Sequence, residues 1–180
     1  MKIFISGGAK NGKSMFAQQL AKKLSTPDHL WYLATMEPHD EEDLARIARH
    51  RKERDGWGFK TVEWGRNLLS HQEEMDSKGV YLVDSVTALL TNEMFGTMDG
   101  HYNAHAVEDV SKGLLGLLKR ADSVILVSDN IFADATTYDK MTEDFRKGLA
   151  RIDRYLAEEC DVVLEFSCGC PIFYKGEKLL

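Results

Sequence analysis

Short runs rich in Val, Ile, Phe and Tyr alternate along the chain with longer stretches whose apolar residues recur every three or four positions. Residues 2–6 (Lys-Ile-Phe-Ile-Ser) predict a strand. Residues 11–24 predict a helix with Phe16, Leu20 and Leu24 on one stripe. A second strand is predicted over 30–35. A helix follows over 40–54, its acidic opening of Asp40, Glu41, Glu42 and Asp43 suited to the positive end of a helix dipole. The run Val80-Tyr81-Leu82-Val83-Asp84 predicts a buried strand, with a helix over about 85–95 and a loop at Gly96-Thr97-Met98-Asp99-Gly100. Val107, Val110, Leu114, Leu117 and Leu118 mark another helix, residues 123–128 a fourth strand, Met141, Phe145, Leu149, Ile152 and Leu156 a long helix, and residues 161–166 a fifth strand. Strands alternating with helices predict an α/β fold, a mainly parallel sheet flanked by helices. With no internal repeat and no Pro/Gly/Ser linker, residues 1–180 read as a single domain.

Composition narrows the function. The 180 residues are 43% apolar and 29% charged, as in ordinary globular proteins. The net charge of -6 argues against a nucleic-acid or anionic-membrane partner. The apolar runs are strand-sized, far short of the ~20 residues of a membrane span, and the first residues carry no signal-peptide core. The three cysteines, Cys160, Cys168 and Cys170, are too few and too unevenly spaced for a disulfide framework or a zinc site. They predict packed free thiols in a cytoplasmic protein.

The most specific motif is Gly7-Gly8-Ala9-Lys10-Asn11-Gly12-Lys13-Ser14, a match to G-x-x-x-x-G-K-[ST] placed directly after a strand and opening a helix. Glycines let successive backbone N–H groups curl inward, and the helix N-terminus adds partial positive charge. Lys13 would reach the β- and γ-phosphates as the catalytic lysine, and the Ser14 hydroxyl would ligate Mg. The pattern predicts a nucleoside triphosphate, GTP or ATP. Asp84, ending its apolar run, fits the acidic partner of the metal; a helix N-cap is the competing role. No N-K-x-D guanine-reading motif occurs.

One predicted helix carries Arg46-Ile47-Ala48-Arg49-His50-Arg51-Lys52-Glu53-Arg54. His50 falls at the border between Leu44 and Ile47 on one side and a basic surface that could hold a triphosphate on the other. From spacing alone, a solvated basic helix with an idle histidine accounts for it.

In this order, the phosphate loop, Tyr32-Leu33-Ala34-Thr35, Arg46-Ile47-x-x-His50, Thr61-Val62-Glu63, Leu82-Val83-Asp84-Ser85-Val86-Thr87 with Leu90-Thr91-Asn92, and Phe145-Arg146 resemble the adenosylcobinamide kinase / adenosylcobinamide-phosphate guanylyltransferase family of cobalamin biosynthesis, nearly end to end. The resemblance implies a RecA-like P-loop NTPase assembled as a homo-oligomer, a trimer. It implies phosphorylation of adenosylcobinamide with ATP or GTP, then transfer of GMP from GTP through a guanylylated histidine to the corrinoid phosphate. That histidine maps onto His50. Nucleotide contacts map onto Gly7 to Ser14, onto Ala34, Thr35 and Met36, onto Arg51, Lys52, Glu53 and Arg54, and onto Glu63 and Asp84. Arg46, Arg51, Lys52 and Arg54 are the candidates to stabilise the transferring phosphate.

The match breaks after the fourth strand. The family pattern N-E-V-G-x-G-I-V-P is replaced over residues 128–137 by Ser-Asp-Asn-Ile-Phe-Ala-Asp-Ala-Thr-Thr, which brings two new acids, Asp129 and Asp134; Asp153 stands for a family Asn. Either this segment handles the corrinoid differently, or one activity is lost, the kinase acceptor site being the one weakened. Two rival functions stay open: a small-molecule kinase with no covalent intermediate, and a RecA-type regulatory ATPase.

Overall fold

The structure, a computed structural model, describes residues 1–38, 40–96 and 102–177, with Arg46 described by its backbone alone. Most of the loop expected at 96–100 and the Arg46 side chain, one of the candidate phosphate ligands, therefore lie outside the described residues.

In chain order the elements are β1 (Lys2–Gly7), α1 (Lys13–Leu24), β2 (Leu30–Ala34), α2 (Glu41–Glu53), β3 (Lys60–Glu63), a 3-10 helix (Leu68–Glu74), β4 (Val80–Asp84), α3 (Val86–Phe95), α4 (Ala106–Arg120), β5 (Ser123–Asp129), α5 (Lys140–Glu159), β6 (Val162–Ser167) and β7 (Cys170–Lys175). They form a seven-stranded sheet in the order β3-β2-β4-β5-β1-β6-β7. Among the described strands, only the β6–β7 hairpin pairs antiparallel.

Central strands explain the near-continuous apolar runs of the sequence, because helices cover both of their faces. Ile3, Ile5, Leu82 and Ile125 face α1, where Ala17, Leu20 and Ala21 close the layer. Phe4, Val83 and Leu126 face the other way, onto Leu90 of α3, Leu114 and Leu117 of α4, and Leu149 and Ile152 of α5. Each such Leu or Ile, fully buried, contributes about 1.5–3 kcal/mol over the exposed state. The stripe on α5 begins at Phe145; Met141 is exposed.

Register aligns the carboxyl ends of the strands. Gly7 pairs with Asp129, while Ala34 sits between Asp84 and Glu63. In open α/β sheets ligands bind at that edge.

Several details differ from the sequence reading. β3, β7 and the 3-10 helix were not predicted: β3 is four residues long and mostly exposed, so no apolar run betrays it. The α1 helix starts at Lys13 rather than residue 11, because Gly12 takes φ 96 and belongs to the turn. Strand β2 stops at Ala34, and Thr35 follows it as a fully buried residue. Cys160 is buried, but Cys168 and Cys170 are exposed free thiols on the β6–β7 hairpin, not packed ones.

Candidate active site

At the end of β1 the chain turns through residues 8–12 into α1. Two residues of this turn adopt left-handed backbone, Lys10 at φ 57 and Gly12 at φ 96. Gly12, at the N-cap, has no side chain to cap α1, which leaves the opening turn suited to an anion. Asn11 braces the turn: its amide donates to the Phe166 carbonyl, and its carbonyl oxygen accepts from the Lys13 backbone N–H at 3.1 Å. The Lys13 ammonium is almost fully buried. It donates to the Gly8 carbonyl at 3.0 Å and pairs with Asp129 Oδ1 at 2.6 Å.

Asp84 does not cap α3. Ser85 does, accepting from the Ala88 N–H at 3.2 Å. Asp84 is turned to the loop instead: Ser14 Oγ donates to its Oδ1 at 3.4 Å and the Tyr32 hydroxyl to its Oδ2 at 2.8 Å. Thr35 stands behind, its Oγ1 donating to the Ser85 carbonyl at 2.8 Å and accepting from the Ser85 N–H at 2.7 Å. Burial, with the Asp84 charge next, raises the Tyr32 hydroxyl pKa well above its usual value.

Helix α2 lies over this arrangement. Asp40 caps it, accepting from the Asp43 N–H at 2.8 Å. None of its residues with described side chains is buried; Leu44 is exposed, and with Ile47 it faces the cleft rather than a core. His50 Nδ1 lies 3.1 Å from Glu53 Oε2, and Arg51 pairs with Glu63 of β3. Just past the helix, Arg54 is only 7% exposed. Its guanidinium sits 3.5 Å over the Tyr32 ring, and its Nη1 is buried without a hydrogen-bond partner.

Loop and helix enclose one cleft of about 870 Å³. Of the residues singled out from sequence, Ala9, Lys10, Asn11, Gly12, Lys13, Ser14, Ala34, Met36, His50, Arg51, Glu53, Arg54, Glu63 and Asp84 line it. Gly7, Gly8, Thr35 and Lys52 do not: the first three support the walls, and Lys52 is exposed. Sequence reasoning missed Tyr32 and Asp129 as wall residues. Asp129 ends β5 as Asp84 ends β4, which is the signal that could have found it.

The divergent segment beyond β5 has no regular structure over 130–139. Asp134 ties it to α5, accepting from Arg146 at 3.0 Å and from the Tyr138 hydroxyl at 2.8 Å. Behind Asp129, Ser128 Oγ donates to the buried Asp153 carboxylate at 2.9 Å. Burial pushes the Asp153 pKa up to about 7, opposed by that hydrogen bond and helped by the Asp129 charge.

Chemically, the cleft presents backbone N–H groups and cations for phosphates, an imidazole for nucleophilic attack, and hydroxyl and carboxylate oxygens at Ser14 and Asp84 that suit a hard divalent cation. Among the described residues, no three His, Cys, Asp or Glu side chains form a cation cage, and no helix is long and apolar enough to cross a membrane.

A family model described as cobinamide kinase / cobinamide phosphate guanyltransferase matches residues 3–173. The bifunctional adenosylcobalamin biosynthesis protein CobU of Escherichia coli (strain K12) is 29% identical over 175 residues, covering 91% of this chain and 93% of that protein. CobP of Pseudomonas aeruginosa, with the same description, is 28% identical over 180 residues, 99% and 100% of the two chains. Among solved structures, the flagellar accessory protein FlaH from Methanocaldococcus jannaschii matches with TM-score 0.51 at 14% identity, covering 97% of this chain and 77% of that one. A Pyrococcus horikoshii OT3 protein matches with TM-score 0.55 at 10% identity, covering 98% and 86%. These two likenesses are of fold alone, an α/β sheet flanked by helices.

Proposed function

The chain belongs to the cobinamide kinase / cobinamide phosphate guanyltransferase family, a family of transferases, and on that premise we propose that its cleft carries out both family reactions on a corrinoid acceptor. The observation that supports this is the meeting of two unrelated devices, the phosphate loop of Lys13 and Ser14 and the helix of His50, on one cleft large enough for a nucleoside triphosphate.

In the guanylyl step, GTP lies with its phosphates on the loop N–H groups and Lys13. The His50 Nδ1–H donates to Glu53, so Nε2 offers its lone pair to the α-phosphorus. The N–P bond forms as the α–β bridging P–O bond breaks, and pyrophosphate leaves. An oxygen of the corrinoid phosphate then attacks that phosphorus, the N–P bond breaks, and the imidazole returns. Arg54, Arg51 and Lys13 stabilise charge on the phosphoryl oxygens and the departing pyrophosphate. Ser14 and Asp84 would hold Mg, which neutralises phosphate charge when bound. In the kinase step the same loop presents a γ-phosphate to the acceptor hydroxyl. The chain works as one nucleotide-binding domain in a homotrimer, in the cytoplasm, without nucleic acid.

The test is labelling with GTP radiolabelled at the α-phosphate, beside His50→Ala. Acid-labile, base-stable label on the parent protein alone is expected. A parent protein that binds GTP and takes no label would overturn the histidine route and favour a plain P-loop kinase.

A second reading concerns the balance of the activities: guanylyl transfer persists while the kinase is weakened. It is favoured by the altered segment over 130–139, which has no regular structure, beside a cleft that keeps the phosphate loop and His50. Full-rate phosphorylation of adenosylcobinamide would sink it.

A further inference from the structure

Tyr32 touches both halves of the cleft. Its hydroxyl, at the middle of β2, reaches sideways to Asp84 Oδ2 at 2.8 Å. Its ring face carries the Arg54 guanidinium at 3.5 Å. The Phe59 ring meets it edge-on at 5.9 Å and an interplanar angle of 89°, so the tyrosine ring is held on two sides. The other described cations differ from Arg54. Arg51 is half exposed and committed to Glu63, and Lys52 lies off the cleft. Among the described cations, Arg54 alone combines burial, a place on the cleft wall and an Nη1 with no partner in the protein. A buried guanidinium with an unsatisfied donor is costly unless something supplies an acceptor. In a cleft that takes a polyphosphate, a phosphate oxygen is that acceptor.

We propose that Tyr32 is a positioning residue for both nucleotide-binding devices: its ring presents Arg54 to a phosphate oxygen, and its hydroxyl orients Asp84 toward the divalent cation that accompanies the nucleotide. This rests on the reading of the cleft as a nucleotide site, and not on the covalent chemistry of His50. The hydroxyl and the ring face act on different partners, so the two roles separate by substitution. Tyr32→Phe removes the hydrogen bond to Asp84 and keeps the platform under Arg54. Tyr32→Leu removes both.

The experiment measures GTP affinity by calorimetry, once with Mg²⁺ and once with a chelator, together with the melting temperature of each variant. For Tyr32→Phe, affinity in chelator stays at the parent value, while affinity with Mg²⁺ falls about tenfold, the usual size of losing a partner one step out from a metal ligand. For Tyr32→Leu both affinities fall, the metal-free one by roughly 3- to 30-fold as the cation–π platform goes. Variants that melt lower but keep the parent ratio of the two affinities would show a merely structural ring and overturn the proposal, as would parent-like affinities throughout. If Tyr32→Leu does not fold, the Mg²⁺-to-chelator ratio of Tyr32→Phe decides alone. Because binding is the readout, a parent protein that takes no label from GTP would end the histidine chemistry and leave this test intact.

Discussion

His50 Nδ1 and Glu53 Oε2 lie 3.1 Å apart across one turn of α2. A carboxylate accepting the Nδ1 proton fixes the ring orientation and leaves Nε2 as the nucleophilic nitrogen. Glu53→Ala should therefore slow single-turnover labelling of His50 by about tenfold while GTP affinity changes less than about threefold. Labelling at the parent rate would reduce the pair to an ordinary helix-surface contact of a few tenths of a kcal/mol.

The 2.6 Å pair of Lys13 and Asp129 predicts a gain on mutation. A triphosphate must take the ammonium from this carboxylate and must approach Asp84, Glu53 and Glu63 as well. Asp129→Asn removes one competing charge, and GTP should bind several-fold more tightly, by about 1 kcal/mol. Calorimetry at two salt concentrations checks it, the gain shrinking as salt rises. Weaker binding would mean that Asp129 helps the nucleotide rather than rivals it.

Asp153 predicts a pH dependence of stability. Its pKa stands near 7 in the folded protein, chiefly through burial, against about 3.9 in an unfolded chain. The folded state thus holds this proton more tightly. The stability gained is complete below about pH 4 and is lost as pH rises through about 7. Asp153→Asn keeps a partner for Ser128 and abolishes the titration. Its melting temperature should exceed the parent's by a margin that widens from pH 4 to pH 8, on the order of 3 kcal/mol or roughly 5–10 °C at the upper end. A margin that does not change with pH would contradict the assignment.

Gly12 stands at φ 96, and a Cβ there would lie 3.3 Å from the Phe166 ring. Gly12→Ala should cost about 1–2 kcal/mol in chemical denaturation and should weaken GTP binding at least tenfold, because the loop N–H groups lose their common focus. An alanine variant with parent affinity would show that the loop tolerates another path.

What could be read from the sequence follows the physics of burial. Val80–Asp84 and Ser123–Asp129 sit in mid-sheet, covered on both faces, so their apolar runs announced them. The edge strands β3 and β7 carry exposed side chains along much of their length and left no pattern. The phosphate loop was legible because its geometry demands particular residues at fixed spacing. The tie between Asp84 and Tyr32 was not: the two are 52 residues apart in the chain, and only the sheet order brings them together. His50 was visible as an oddity, and the cleft beneath it was not. Leu44 and Ile47, the apolar side of that helix in the sequence, line the open cleft.

Helix α2 gives the core none of its described side chains; the deeply seated anchor near it is Arg54, just beyond its last turn. A helix that lends the core none of its described side chains can tilt about such an anchor without breaking a packed layer, at far smaller energetic cost than moving a core helix. His50 stands one turn from that fastening. The histidine is thus mounted near a pivot, like the inner part of a crane's boom. Small rotations about Arg54 would swing the distal turns of α2 through wide arcs while the imidazole itself travels little.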